Sequence, residues 1–168
     1  MLGATIDDPI ESGAGRVDGL GLLPVATAFA ADKVLTRRRG VSPVFDGVEA
    51  SGYEIRHGRV DATAGQPLLI ADDGAAEGCV AGAVIGTSWH GLLESDALRR
   101  ALLSWIAERT GRAFTPGHVT FAGVREARLD VLGDLVADHL DTAAVERFLT
   151  DGAPDDLPVV PPAGVHTP

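Results

Sequence analysis

Only one cysteine, Cys79, occurs in the chain, so no intramolecular disulfide can form and no paired-cysteine zinc site is available. Aromatic residues are scarce, at 5% of the sequence, which leaves the core to Ala, Val, Leu and Ile. Positive charge is in deficit: 14 basic against 24 acidic residues give a formal charge of -10. A surface of that sign repels phosphate backbones and anionic lipid, so neither nucleic acid nor a membrane surface is an expected partner. No apolar run approaches the roughly 20 residues of a spanning helix. The opening MLGATIDDPIESG lacks the basic start, apolar core and cleavage site of an export signal. A cytoplasmic protein is expected. Nothing recurs at a fixed period, which excludes a solenoid.

Glycine, by contrast, is abundant, with 21 residues beside 10 prolines, and 168 residues are enough for one domain with a real core. The β-rich first half and helical C-terminal part indicate an α/β chain. Met1-Leu2-Gly3 has the pattern of a helix end with its glycine cap, and Asp7 to Gly15 that of a polar surface loop. A broken apolar stretch, GLGLLPV at 19–25, leads to a strand over residues 25–29 and another over 33–39 that ends in Arg37, Arg38 and Arg39. In GYEIRHGR, residues 52–59, Tyr53, Ile55 and His57 point to one side of a strand and Glu54 and Arg56 to the other. Residues 67–70 form a strand that turns at Asp72-Asp73-Gly74.

The run 80–85 reads as one buried strand leading into Gly86-Thr87-Ser88-Trp89-His90-Gly91, and Leu98, Leu102, Leu103, Trp105 and Ile106 then recur at helical spacing. Ser95 or Asp96 can cap that helix and Gly111 can end it. A second helix over 124–139 carries Leu129, Leu132, Val136 and Leu140 on an apolar stripe. Asp141 caps a last one whose Val145, Phe148 and Leu149 face inward. Residues 150–168, rich in Pro and Asp, form a disordered tail, leaving 1–149 as the domain.

His90, in a glycine-bracketed loop at a strand end, is the foremost catalytic candidate, because loops there carry little packing duty. Cys79 is not its partner: one strand over 79–85 separates the two by about 20 Å at roughly 3.3 Å per residue. His57 has no second ligand at metal spacing and reads as a hydrogen-bonded strand histidine; no metal site is expected. Ser88 lacks the glycine-serine-glycine elbow of a nucleophile. Glu94 either orients His90 or favours the start of the following helix. His118, His139 and His166 receive no role.

In this order and spacing, GLGLLPV, GYEIRHGR and GTSWHGLLES, with MLG and IDDP ahead of them, resemble the C-terminal glutamine amidotransferase domain of the cobyric acid synthases of cobalamin biosynthesis. The cobyrinic acid a,c-diamide synthases share the domain and are the nearest competitor. The resemblance implies a flavodoxin-like class I amidotransferase, in which a thiolate attacks the glutamine amide, ammonia leaves and water cleaves the thioester. His90 matches the histidine that takes the thiol proton and returns it to the departing ammonia. Tyr53, Glu54, Gly58 and Arg59 match a strand motif near the glutamine pocket and are the expected binding residues. Arg56-His57 departs from the motif. Leu92 stands where many class I enzymes have a glutamate that holds the histidine ring.

In that family the nucleophile lies in a glycine-cysteine-glycine-glycine elbow ahead of the segment that Met1-Leu2-Gly3 continues. The resemblance therefore implies an N-terminally truncated, incomplete domain that does not hydrolyse glutamine alone. It places no cofactor in this chain; ATP, magnesium and the corrinoid carboxylates to be amidated belong with an absent N-terminal synthetase domain. The competing classes are a non-catalytic binding or regulatory module that retains the pocket, and a hydrolase pairing His90 with another nucleophile.

Overall fold

In a computed structural model the described residues are 1–158, and they form two compact units, 1–122 and 123 onward. The first unit is built on a long antiparallel ribbon, β3 (Val25–Ser42) and β4 (Val48–Ala62), paired from Val25↔Ala62 to Ser42↔Val48. On the other edge of β3, β1 (Thr5–Asp8) runs parallel beside residues 26–28, and β5 (Leu69–Ala71) runs antiparallel beside Gly40 and Val41. β2 (Gly15–Asp18) and β6 (Ala76–Glu77) complete a six-stranded mixed sheet. A separate hairpin, β7 (Cys79–Ala81) with β8 (Val84–Gly86), precedes the helix α1 (Asp96–Thr110). The first unit is thus α/β.

The two strands expected over 25–29 and 33–39 are one, interrupted where Ala30 to Lys33 oppose the single residue His57. The side chains of β4 satisfy that bulge. His57 Nδ1 lies 3.0 Å from the Ala30 carbonyl, and Arg59 donates to the carbonyls of Asp32 at 2.7 Å and His57 at 2.9 Å. His57 is therefore the hydrogen-bonded strand histidine its context suggested.

Two expectations near the start are overturned. Met1-Leu2-Gly3 is not helical; its carbonyls accept from Leu20, Gly21, Leu22 and Leu23, so the glycine-leucine stretch lies directly on this backbone. Asp7 and Asp8 end a strand, and buried Asp8 accepts from the N–H groups of Ile10, Glu11 and Ser12 at 2.8–3.1 Å, closing the turn into β2.

The main core gathers Phe45, Ala50, Leu68, Leu69, Ala71, Trp89, Leu92 and Leu98, with Leu102 and Trp105 of α1 packed on it. Trp105 meets Phe45 edge-on and carries the Arg109 guanidinium 4.1 Å above its ring. Leu103 and Ile106 face outward instead, at 40% and 42% exposure, because only one side of α1 meets the sheet. Gly111 ends the helix in the left-handed conformation, as expected. Ser95 occupies the N-cap position without capping: its hydroxyl donates to the Ser51 carbonyl and accepts from the Ser51 N–H, tying α1 to β4.

The second unit contains α3 (Thr142–Asp151) and most of α2 (Phe121–His139). Neither helix has a buried residue, and Leu129, Leu132, Val136, Leu140, Val145, Phe148 and Leu149 are exposed. The expected inward stripe is therefore not enclosed; two helices alone have too little chain to surround it. Asp141 does cap α3, accepting from the Ala144 N–H at 3.0 Å. Asp141→Ala should cost α3 about 1 kcal/mol and speed amide exchange at Ala144. Of the tail expected over 150–168, Thr150 and Asp151 belong to α3, residues 152–158 are exposed and outside helix and strand, and 159–168 lie outside the described residues.

Candidate active site

A cavity of about 510 Å3 opens in the first unit, with Arg56, His57, Glu77, Thr87, Ser88 and His90 as its main polar lining and Leu23, Val25, Phe29 and Val60 among its apolar walls. His90 is held there by its own backbone and by its ring. Its N–H donates to the Tyr53 carbonyl at 2.8 Å and its carbonyl accepts from the Tyr53 N–H at 3.0 Å, an isolated antiparallel bridge that fastens the loop to β4. The Tyr53 ring stacks on the imidazole, with centroids 5.3 Å apart and planes 15° from parallel. Tyr53 is thus the ring's neighbour, and Leu92, in the position a glutamate takes elsewhere, is buried in the core.

Glycines make that contact possible on both sides of the loop. A Cβ on Gly52 would lie 2.8 Å from the His90 carbonyl oxygen and 3.1 Å from Trp89 Cβ. Gly91 has φ +68 and lies under the Tyr53 ring, so the chain leaves His90 through a conformation costly to other residues. Gly52→Ala should destabilise the protein by about 1–3 kcal/mol and push His90 off β4, read as a lower melting temperature with shifted His90 resonances.

The reading of residues 79–85 as one strand is corrected. A hairpin reverses the chain at Gly82, whose φ is +60, and pairs Cys79 with Gly86. Cys79 therefore lines the same cavity as His90, and the single strand on which the 20 Å separation rested is absent. Its chemistry is still that of a packing residue. The thiol is 2% exposed in a small cluster with Leu23 and Val25, its sulfur is 3.5 Å from the Ala64 carbonyl oxygen, and burial pushes its pKa up, away from the thiolate.

The other binding candidates divide between the cavity and its supports. Gly58 lines the cavity, its α-carbon facing Thr27 and Phe29. Arg59 is engaged by the β3 bulge. Glu54 is buried between two cations: Arg56 donates to it at 2.9 Å, and Arg38 Nε lies 3.4 Å away while the same arginine reaches Asp73 at 2.7 Å. Burial pushes the Glu54 carboxyl up, but the hydrogen bond and charge of Arg56, with Arg38, outweigh it and hold it below the usual glutamate range. Glu94 lies in a 3-10 turn, Leu92–Glu94, and borders a second cavity of about 720 Å3 with Arg37, Arg39 and Tyr53.

Glu77 is a site residue that sequence reasoning missed. Its buried carboxylate accepts from Thr87 Oγ1 at 3.0 Å, Ser88 N at 2.7 Å and Ser88 Oγ at 2.9 Å, directly ahead of His90. A single glutamate at the end of a two-residue strand carries no periodicity or spacing by which to find it.

Residues 1–98 match the CobB/CobQ-like glutamine amidotransferase domain, more than half of the 168-residue chain. The chain belongs to this family. It is 52% identical to the cobyric acid synthase of Frankia casuarinae over 162 residues, covering 96% of this chain and 30% of that protein. It is also 52% identical to the cobyric acid synthase of Rhodococcus jostii, covering 95% of the chain and 31% of the relative, and 50% identical to that of Streptomyces avermitilis, covering 96% and 30%. The chain thus spans about three tenths of the length of the curated relatives it matches. The family membership agrees with the fold expected of a flavodoxin-like class I amidotransferase domain. Among the described residues, no helix is long and apolar enough to cross a membrane.

Proposed function

We propose that this chain supplies the histidine half of the glutamine site of a cobyric acid synthase, with His90 as general base. The observation that carries the reading is His90 itself, ring-stacked and backbone-clamped in the lining of a partly polar cavity inside the matched region. A thiol from outside these residues would give its proton to the imidazole and attack the glutamine amide carbon. The imidazolium would return the proton to the leaving nitrogen, ammonia would depart, and water activated by the same histidine would cleave the thioester. Cys79 is unsuited to that step, being buried and held away from the thiolate form.

Ammonia so released would serve the ATP-dependent amidation of corrinoid carboxylates. ATP, magnesium and the corrinoid are assigned in this reading to a synthetase part outside the three tenths of a cobyric acid synthase that the chain spans.

Two assays test the proposal. The 168-residue protein alone should release no glutamate from glutamine. Exchanged for the aligned stretch of the Rhodococcus jostii cobyric acid synthase, it should support glutamine-dependent amidation. An exchanged enzyme that uses ammonia but not glutamine would reject the reading.

A further inference from the structure

We infer that Glu77 is a positioning residue for His90, acting through Thr87 and Ser88; the inference rests on reading His90 as the base. The β7–β8 hairpin folds the chain back so that Gly78 packs against the Gly86 carbonyl, where even a Cβ would lie 2.6 Å from that oxygen. The residues flanking this contact, Glu77 and Thr87, are thereby brought together. One carboxylate oxygen of Glu77 accepts from Thr87 Oγ1, the Ser88 N–H and Ser88 Oγ, and the other lies 3.0 Å from Ser88 Oγ. Thr87 Oγ1, so held, accepts from the Trp89 N–H at 3.1 Å. Every residue between Gly86 and His90 is thus bonded to Glu77 or to a group that Glu77 holds.

Beyond that clamp the loop is held by the core-buried Trp89 side chain and by the bridge to Tyr53, which sets where the imidazole meets the tyrosine ring. The loop is anchored at two ends, and the Glu77 end is a buried acceptor with few alternatives. Arg56 Nη2 lies 4.0 Å from it, too far for a hydrogen bond, so the hydroxyl and amide donors of the loop supply its close contacts. Removing the carboxylate takes away the shared acceptor of the half-buried Ser88 and of Thr87 and frees the segment to shift. This also accounts for Ser88: its hydroxyl donates to Glu77, which makes it part of the support.

The stacked tyrosine provides a spectroscopic signature independent of catalysis. In the intact 168-residue chain, the His90 ring protons should be shifted upfield by the Tyr53 ring current, and Tyr53→Leu calibrates the full loss of that shift. Glu77→Ala should remove at least half of it while leaving the His57 ring protons, held at Ala30, in place. The double variant Thr87→Ala, Ser88→Ala, which keeps the carboxylate, should do the same. Glu77→Gln, which retains an acceptor oxygen without the charge, should restore most of the shift.

Retention of the full upfield shift in Glu77→Ala or in the double variant would overturn the inference. So would displacement of His57 as large as that of His90 in both, which indicates general loosening, or failure of Glu77→Gln to restore the shift. The ring signature reports position alone, so failure here leaves the base assignment of His90 to stand or fall by turnover.

Discussion

His90→Ala in the exchanged cobyric acid synthase is expected to lower the glutamine-dependent rate by about 100-fold to 10,000-fold, the usual contribution of a positioned acid–base group. Amidation driven by added ammonia should be unchanged, because the histidine acts only where glutamine is opened. The same residue deprotonates the thiol, protonates the leaving nitrogen and activates water, so the loss should fall on turnover much more than on KM. Comparison of glutamine-driven and ammonia-driven rates in one preparation checks this. Equal losses in both would assign His90 a structural role.

The second large effect is on stability. Glu54→Ala should cost about 3 kcal/mol, because it takes the carboxylate from Arg56 and leaves Arg38 with Asp73 alone, and these side chains are only 21% and 30% exposed. For a chain of this length each kcal/mol moves the melting temperature by about 2–4 °C, so a fall of roughly 6–12 °C is expected. Glu54 also contributes to acid sensitivity, with a definite sign. Its carboxyl titrates below its ordinary value of 4.5 in the folded protein and near that value when unfolded, so the unfolded state binds the proton first as pH falls. The contribution is complete above about pH 5 and is lost as pH drops through the folded value. Glu54→Gln should therefore differ from the parent by a constant amount at neutral pH and converge toward it as pH falls below the ordinary value of 4.5, read from urea midpoints across that range.

Much of this arrangement was legible in the residues. The helical spacing of Leu98, Leu102 and Trp105 with a closing glycine located α1, and the alternation in GYEIRHGR put Glu54 on the opposite side from Tyr53 and Ile55; that the glutamate's side is the buried one came only from the structure. The loop at 86–91 was read as a site because its glycines and histidine follow an apolar run. The hairpin within that run was not legible: Ala81, Gly82 and Ala83 continue the apolar pattern, and only the positive φ of Gly82 reverses the chain. That one turn decides the site, since it brings Cys79 to the cavity and Glu77 to the loop. The length of β3 was hidden for a related reason. Its bulge over Ala30 to Lys33 looks like a break in sequence, and it is kept in the ribbon by side chains of β4 nearly 30 residues later. The N-terminal helix end was misjudged because an apolar pair before a glycine fits a helix cap and an irregular strand approach equally well.

The central claim, that these residues carry the base of the glutamine site and not its nucleophile, is tested most directly by glutamate release from glutamine in the exchanged enzyme carrying Cys79→Ser. Cys79, the single cysteine of the chain, is buried and lines the same cavity as His90, so it is the thiol to test for the role. The predicted result is glutamate release at the rate of the exchanged enzyme without the substitution. Loss of release in that variant, with folding intact, would contradict the account and make Cys79 the nucleophile.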